Sequence, residues 1–128
     1  MEAIPAGLAD LRPGASERHI QAAERYLGRP LPYSYRSFLL VRDGGRIGDL
    51  LILGTPELST YNKAALPNHL IPFHPVSTSG DFECFDASHE KDGELAVVWY
   101  LAERDDSEQT YEDFTDWLLD QLIDLRLS

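Results

Sequence analysis

The segment 16–45 constrains the fold of this chain most, because it reads as two short helices joined by a proline-rich elbow. Ser16 can cap the first helix, and apolar residues recur behind it at helical spacing. Gly28 favours the left-handed conformation that ends a helix. The prolines that follow suit the first turn of a second helix, which a glycine pair then stops. We therefore predict helices over about residues 16–27 and 32–42 that pack near one another.

Strand patterns dominate the middle of the chain. They fall in four segments: 49–55, 70–77, 81–86 and 94–102. The prolines of 70–77 belong at a sheet edge, whereas 94–102 is apolar on both faces, as a central strand is. Between the last two strands we expect an antiparallel pairing and an extended, charged loop over 87–93. Residues 56–69 remain open between a short helix and a loop across the sheet edge.

The C-terminal segment has the pattern of an amphipathic helix. Thr110, with Asp113 three residues later, resembles a capping box that would open it. The apolar stripe behind it comprises Phe114, Trp117, Leu118, Leu122 and Leu125. Helices first, then strands, then a helix predict an α+β fold: a mainly antiparallel sheet packed with two N-terminal helices and one C-terminal helix. The 128 residues fit a single domain, with 1–15 as an irregular N-terminal arm and 16–128 as the domain itself.

Charge is strongly uneven along the chain. Residues 1–46 carry 7 basic and 5 acidic side chains, a net charge of +2, whereas 47–128 carry 4 basic and 17 acidic ones, a net charge of −13. Such a field repels nucleic-acid phosphates and anionic lipid and attracts basic proteins. It also keeps a protein soluble, and composition does not separate the two roles. We expect neither direct nucleic-acid binding nor membrane binding.

Location follows from what the sequence lacks. No apolar run approaches the roughly 20 residues that span a bilayer, and the N-terminal residues lack the pattern of a signal peptide. The single cysteine excludes an internal disulfide, which suits a reducing compartment. We expect a cytoplasmic protein. The oligomeric state stays open, with a monomer favoured.

The chain carries no recognisable catalytic or metal-binding motif. The side chains that could serve as metal ligands are His69, His74, Cys84, His89, Asp81 and Asp86. Their spacing matches no CxxC, HxxxH or HExxH pattern. Cys84 alternates with Phe82 in a strand pattern, so we expect it to be a small buried hydrophobe. GxSxG is absent, and GGRIG matches no phosphate-binding loop. We predict no catalytic residue, no cofactor and no metal, and hence no enzyme.

An ordered set of residues resembles the SUKH superfamily. The set comprises Glu24, Gly28, Leu31, Pro32, Tyr35, Phe38, Leu39, Asp43-Gly44-Gly45, Gly80-Asp81, Asp86 and Asp92-Gly93. A hydrophobic strand and an aromatic-rich C-terminal helix follow, so that the resemblance covers residues 16–125. This superfamily includes the fungal cell-wall assembly regulator often called Smi and Knr, and many bacterial immunity proteins of polymorphic toxin systems. The resemblance implies the same α+β architecture.

The resemblance also implies that the protein acts by binding another protein. Our first hypothesis is a non-enzymatic immunity protein that neutralises a cognate bacterial toxin domain, with a basic nuclease as the expected target. The alternative is an intracellular interaction adaptor with a regulatory or cell-envelope assembly role. Immunity proteins of one fold can use different surfaces, so the family alone does not identify the interface.

The candidate partner-binding residues are acidic side chains of the second half of the chain, with one aromatic. They are Asp81, Glu83, Asp86, Glu90, Asp92, Tyr100, Glu103, Asp105 and Asp106. If the two central strands pair as predicted, the groups around Asp81 and Asp105 lie close together. Tyr100 and Tyr61 are the candidate aromatic anchors if they are exposed.

Overall fold

The computed structural model describes residues 9–76 and 80–127. Its helices are α1 (Glu17–Leu27), α2 (Tyr33–Val41), α3 (Thr55–Leu58), a 3₁₀ helix (Lys63–Ala65) and α4 (Phe114–Leu127). Its strands are β1 (Ala9–Leu11), β2 (Gly45–Ile47), β3 (Leu50–Ile52), β4 (Leu70–Pro75), β5 (Phe82–Lys91), β6 (Glu94–Leu101) and β7 (Asp106–Tyr111). The α+β prediction is confirmed, with two antiparallel sheets of order β1-β2-β3 and β4-β5-β6-β7. No helix in the described ranges is long and apolar enough to cross a membrane.

The two N-terminal helices form as predicted, and local hydrogen bonds fix their ends. The Ser16 hydroxyl accepts the His19 N–H at 3.2 Å. Gly28 adopts φ 79°, and its N–H donates to the Glu24 carbonyl at 2.8 Å. The Glu24 carboxylate in turn accepts the Leu31 N–H at 2.8 Å. The elbow is therefore closed by the end of α1 itself.

Aromatic side chains fill the space between the helices and the larger sheet. The Tyr35 ring of α2 lies 4.9 Å from Phe85 and 5.1 Å from Phe114, measured between ring centroids. Phe73 stacks on Phe85 at 4.3 Å and meets Trp117 edge-on at 4.8 Å. All five rings are at most 1% exposed. Truncating one such ring to alanine typically costs about 3–5 kcal/mol, so these rings hold α2, α4 and the sheet together.

The smaller sheet corrects the prediction of an irregular arm over 1–15. Residues 9–11 form β1, in which Asp10 lies opposite Arg46 of β2, and β3 completes the sheet. Residues 1–8 lie outside the described residues. The Leu53 N–H donates to the Phe73 carbonyl at 2.8 Å, which links the smaller sheet to β4.

The segment left open at 56–69 contains both a helix and loops. α3 begins at Thr55, and the 3₁₀ helix is capped by Asn62, whose side chain accepts the Ala64 N–H at 3.1 Å. Leu66 beyond it packs on the outer face of the larger sheet. The other members of that cluster are Leu70, Cys84, Val98 and Tyr100, with Tyr61, Phe82 and Ala102 at its margin. The segment thus covers the sheet face that α4 leaves open.

The predicted loop over 87–93 is wrong, because β5 continues to Lys91. The strand register shifts between Asp86 and Glu90, and the hairpin then closes through two residues alone. Asp92 and Gly93 both have positive φ, 54° and 83°. Positive φ at both central positions is typical of the turn that joins two-residue hairpins. The sequence pattern does not indicate this second part of β5, because the bulge interrupts the alternation of side chains.

The predicted capping box at the last helix is also wrong. Thr110 lies in β7, where its hydroxyl donates to the Val97 carbonyl at 3.4 Å. Asp113 instead caps α4, since its carboxylate accepts the Asp116 N–H at 2.9 Å. The residues before Phe114 therefore form a fourth strand of the larger sheet rather than the first turn of the helix.

Candidate functional site

Glu83 is buried, contrary to its expected role as an exposed contact. It is 7% exposed and accepts the Trp117 indole N–H at 2.7 Å. Burial raises the pKa of this carboxyl, and the hydrogen bond from Trp117 opposes that rise. Glu83 therefore anchors α4 to the sheet, and a partner could reach it only through the small surface it keeps.

Asp86 is also buried, and its carboxylate accepts hydrogen bonds from neighbouring residues of β5. It is 6% exposed, and it accepts the Ser88 N–H and the His89 Nδ1–H, both at 2.9 Å. Burial alone would raise its pKa, but the hydrogen bonds from Ser88 and His89 outweigh burial and leave the pKa below its usual value. Asp86 fixes the bulge of β5, so its role in the structure is local.

Of the two candidate aromatic anchors, Tyr100 is buried and Tyr61 is half-buried. Tyr100 is 5% exposed, and its hydroxyl donates to the Asp105 carboxylate at 2.7 Å. Asp105 lies in a turn at φ 46°, a conformation that Asp tolerates better than most residues. Tyr61 is half-buried against Tyr26, with ring centroids 6.0 Å apart. Tyr100 and Asp105 together shape the turn after β6.

The remaining candidate residues do lie on the surface. Glu90, Asp92, Glu103 and Asp106 are exposed, and Asp81 is half-buried. The Asp81 carboxylate accepts the Ala102 N–H at 2.9 Å, which places it beside the turn that contains Glu103. The structure therefore brings together the groups around Asp81 and Asp105, as the strand pairing led us to expect.

β7 extends this charged surface along the edge of the sheet. It pairs with β6 alone among the described strands, and residues 106–110 are all exposed. The acidic edge, as we name it here, consists of Glu103, Asp105, Asp106, Glu108 and Glu112. Sequence reasoning missed β7 because both of its faces are polar, so that no alternation marks it.

The acidic edge ends near the β5–β6 hairpin. There a surface cavity of about 490 Å³ is lined by His89, Glu90, Lys91, Asp92, Glu94, Ala96, Gln109, Glu112 and Asp113. Lys91 is the one lysine or arginine among these lining residues. Six strand residues span about 20 Å, so carboxylates occur at both ends of β7 over about that distance, with the uncharged residues 109–111 between Glu108 and Glu112. Such a strip can hold a basic surface and repels phosphate.

The thiol and one imidazole of the candidate metal ligands lie in buried or hydrogen-bonded positions. The Cys84 side chain is fully buried, and burial raises the pKa of its thiol. His74 Nδ1 lies 2.7 Å from the Leu51 carbonyl oxygen. Across residues 9–76 and 80–127, no group of three or more His, Cys, Asp or Glu side chains could hold a metal ion.

Comparison with protein families now identifies the fold. The model of the SMI1 / KNR4 family (SUKH-1) matches residues 14–120, most of the chain. The protein belongs to the SUKH-1 family. A comparison with curated proteins finds no match.

The residues that carry the SUKH resemblance have structural roles in this member. Asp43 is buried and accepts the Thr55 N–H and hydroxyl, both at 2.6 Å. The Tyr35 hydroxyl donates to the Leu53 carbonyl. Gly44 has φ 75°, and a Cβ atom there would lie 2.6 Å from backbone atoms, including the Ile52 carbonyl oxygen. The signature therefore specifies the fold, whereas the acidic edge lies outside it.

Proposed function

We propose that this SUKH-1 protein is a non-enzymatic immunity protein that binds and neutralises a cognate bacterial toxin domain. The acidic edge would cover a cationic surface on that domain, with a basic nuclease as the expected target. Neutralisation is then stoichiometric occlusion, since nucleic acid and the acidic edge compete for the same cations. The observation that carries the proposal is a set of exposed carboxylates on β7 and its flanking turns, among which Arg104 is the one exposed basic residue, in a family that includes immunity proteins.

Several carboxylates of the acidic edge are exposed and are not neutralised by ion pairs among the described residues. Glu103, Asp106 and Glu108 are exposed, and none of them forms an ion pair within the described part of the chain. Unpaired carboxylates on one side of a protein steer a basic partner and speed association at low salt. They also keep an edge strand from pairing with other chains, a role that is compatible with recognition.

The first test is a pull-down of the tagged protein from its own cells, with elution by a salt step and mass spectrometry. We expect a larger protein with a basic C-terminal domain in the eluate. Expressed alone, that domain should arrest growth, and co-expression of this protein should restore it. If only housekeeping proteins are captured, the adaptor role takes the place of the immunity role.

The second test reverses charge on the acidic edge with Glu103→Lys and Asp106→Lys together. Asp105 is left intact, because it accepts the Tyr100 hydroxyl and because lysine would be strained at its positive φ. We expect the association rate with the captured domain at low salt to fall about tenfold and its salt dependence to flatten.

A matched control reverses two exposed acids of the smaller sheet, Asp10→Lys and Asp49→Lys. Both double variants change the net charge from −11 to −7, because each substitution adds two charges. If the control slows association as much as the variant of the acidic edge, overall charge rather than this surface governs binding. If both variants and the wild type associate with the captured domain at the same rate, electrostatic steering does not contribute to binding.

A further inference from the structure

Trp99 keeps a large exposed surface in the middle of the larger sheet. β6 is flanked by β5 and β7, and Val97 on the same face is fully buried by the core. Two residues along the strand, Trp99 is 37% exposed. Tryptophan side chains that remain open to solvent are enriched where proteins bind one another. The indole of Trp99 is therefore an aromatic ring that a ligand can contact on this face of the sheet.

The strand register places a carboxylate on each side of that ring. Glu83 of β5 and Glu108 of β7 are both directly opposite Trp99. Directly opposed residues of antiparallel strands share a face and have Cβ atoms about 4.5–5.5 Å apart. The sheet thus presents a row of acid, indole and acid. This arrangement follows from backbone pairing and does not depend on the choice of side-chain rotamer.

A cavity opens over two members of this row, Glu83 and Trp99, and Glu108 lies outside its lining. Its volume is about 500 Å³, within the range of roughly 300–1,000 Å³ of ligand sites. Glu83 and Trp99 line it together with Tyr111, whose hydroxyl donates to Asp120. No lysine or arginine is among the described residues that line it, and His74 is its one basic side chain. The cavity thus has an aromatic wall and one carboxylate, that of Glu83, with the imidazole of His74 also in its lining.

The hydrogen bond that Glu83 accepts from Trp117 does not require a negative charge on Glu83. A glutamine at this position could accept the same hydrogen bond from Trp117 without a buried negative charge. A desolvated carboxylate without a cation costs stability. Within the described residues no lysine or arginine forms an ion pair with Glu83. Among the described residues the basic group that acts on Glu83 is the His74 imidazole, so a permanent cation beside this carboxylate could come from a partner.

We propose that this cavity binds an arginine side chain of a protein partner. The guanidinium would stack on the Trp99 indole and donate to Glu83 within the cavity, while Glu108, opposite Trp99 on β7 and outside the cavity lining, would be the second acceptor. Arginine suits the site better than lysine, because its planar fork stacks on aromatic rings and donates to two carboxylates at once. This inference rests on the proposed function for the class of partner and adds an anchoring contact next to the acidic edge.

The test is an NMR titration of the ¹⁵N-labelled protein with acetyl-Gly-Ser-Arg-Ser-Gly-amide. The chain has two tryptophans, and a Trp99→Phe variant assigns their indole N–H signals. We expect a saturable shift of the Trp99 signal, accompanied by a shift of the Trp117 signal, because the Trp117 indole N–H donates to Glu83. The same peptide with citrulline, a neutral isostere of arginine, should produce no saturable shift.

Charge-neutral variants locate the contact. Glu83→Gln keeps the acceptor for Trp117, and Glu108→Gln alters an exposed residue, so that at least one of them tests the site in a folded protein. Each should weaken peptide binding about tenfold. Glu90→Gln is the matched control, because it removes the same charge at the other cavity. It should change the affinity less than about twofold, since a distant exposed charge is screened.

Three results would overturn the inference: equal binding of the citrulline peptide, equal weakening by Glu90→Gln, or an unmoved Trp99 signal. These results leave the proposed function intact if the captured toxin domain still depends on Glu103 and Asp106. Conversely, the arginine site stands if the peptide binds as expected but no toxin domain is captured. The two proposals can therefore fail separately.

Discussion

Replacing Asp43 tests how the family signature holds the fold together. The Asp43 carboxylate is 8% exposed and accepts two hydrogen bonds from Thr55, one from the N–H and one from the hydroxyl, each at 2.6 Å. These bonds tie the end of α2 to the start of α3, twelve residues further along the chain. Thr55 is itself 5% exposed, so water cannot replace the carboxylate without rearrangement.

The magnitude follows from the two bonds. A hydrogen bond to a charged group contributes about 1.5–3 kcal/mol, and a buried donor left unpaired costs about 1–3 kcal/mol. Asp43→Ala loses both bonds and should therefore reduce the free energy of unfolding by about 3–5 kcal/mol. Asp43→Asn keeps one acceptor oxygen and should cost about 1–2 kcal/mol. For a domain with a stability of about 5–15 kcal/mol, the alanine variant is a severe change.

Urea unfolding followed by far-ultraviolet circular dichroism measures these differences, with an unchanged m value as the sign of an intact two-state transition. Thr55→Val provides the partner for a double-mutant cycle with Asp43→Asn, because it removes the hydroxyl and keeps the side-chain shape. A loss below about 1 kcal/mol for Asp43→Ala, or no coupling between the two sites, would refute the argument.

Three further predictions concern buried groups. Asp86→Asn should lower the free energy of unfolding by about 1–2 kcal/mol at pH 7. Because the folded pKa of Asp86 is lowered, its contribution to stability is present above its unfolded pKa of about 3.9 and is lost as pH falls. Urea unfolding should therefore show the stabilities of the wild type and the variant converging in acid. The stability of Glu83→Gln relative to the wild type should be about 1 kcal/mol greater at pH 7 than at pH 4. The pKa of Glu83 is raised in the folded protein, so the contribution of Glu83 to stability falls as pH rises. A difference between variant and wild type that does not depend on pH would contradict this. Cys84 should react with Ellman's reagent only after unfolding, as the buried thiol has a raised pKa, and rapid reaction of the native protein would exclude that burial.

The sequence predicted those elements whose signals are local. Caps and breakers such as Ser16 and Gly28 determine where helices begin and end, so α1 and α2 were predicted closely. The apolar run of β6 identified a central strand, because burial on both faces leaves a distinct pattern. Cys84 was predicted as a buried hydrophobe from its position in the alternation of β5, and its side chain is fully buried.

The missed elements depend on distant partners. β1 and β2 are three residues each and exist because they pair with one another across more than thirty residues of sequence. β7 is polar on both faces, so only its pairing with β6 defines it. Thr110 and Asp113 have the spacing of a capping box, but hydrogen bonding to β6 outweighs that local preference. Short and polar strands of this kind leave almost no periodic signal.

The candidate site shows the same limit for function. All nine predicted contacts were chosen by residue type and position along the chain, yet Glu83, Asp86 and Tyr100 are buried. Composition counts carboxylates without separating those that hold the fold from those that face a partner. Exposure depends on hydrogen-bond donors supplied by other elements, such as the indole of Trp117, and sequence spacing does not encode such distant donors.

Fold and recognition therefore use different parts of this chain. The residues that identify the family, such as Asp43 and Tyr35, bond to buried backbone and side-chain groups and have little surface to offer a partner. The exposed charge lies on β7 and its flanking turns, where substitutions leave the aromatic core untouched. A scaffold fixed by buried contacts can carry many different edges. Changing Glu103 and Asp106 should consequently alter which partner binds and leave the unfolding free energy within about 0.5 kcal/mol of the wild type, as expected for surface positions.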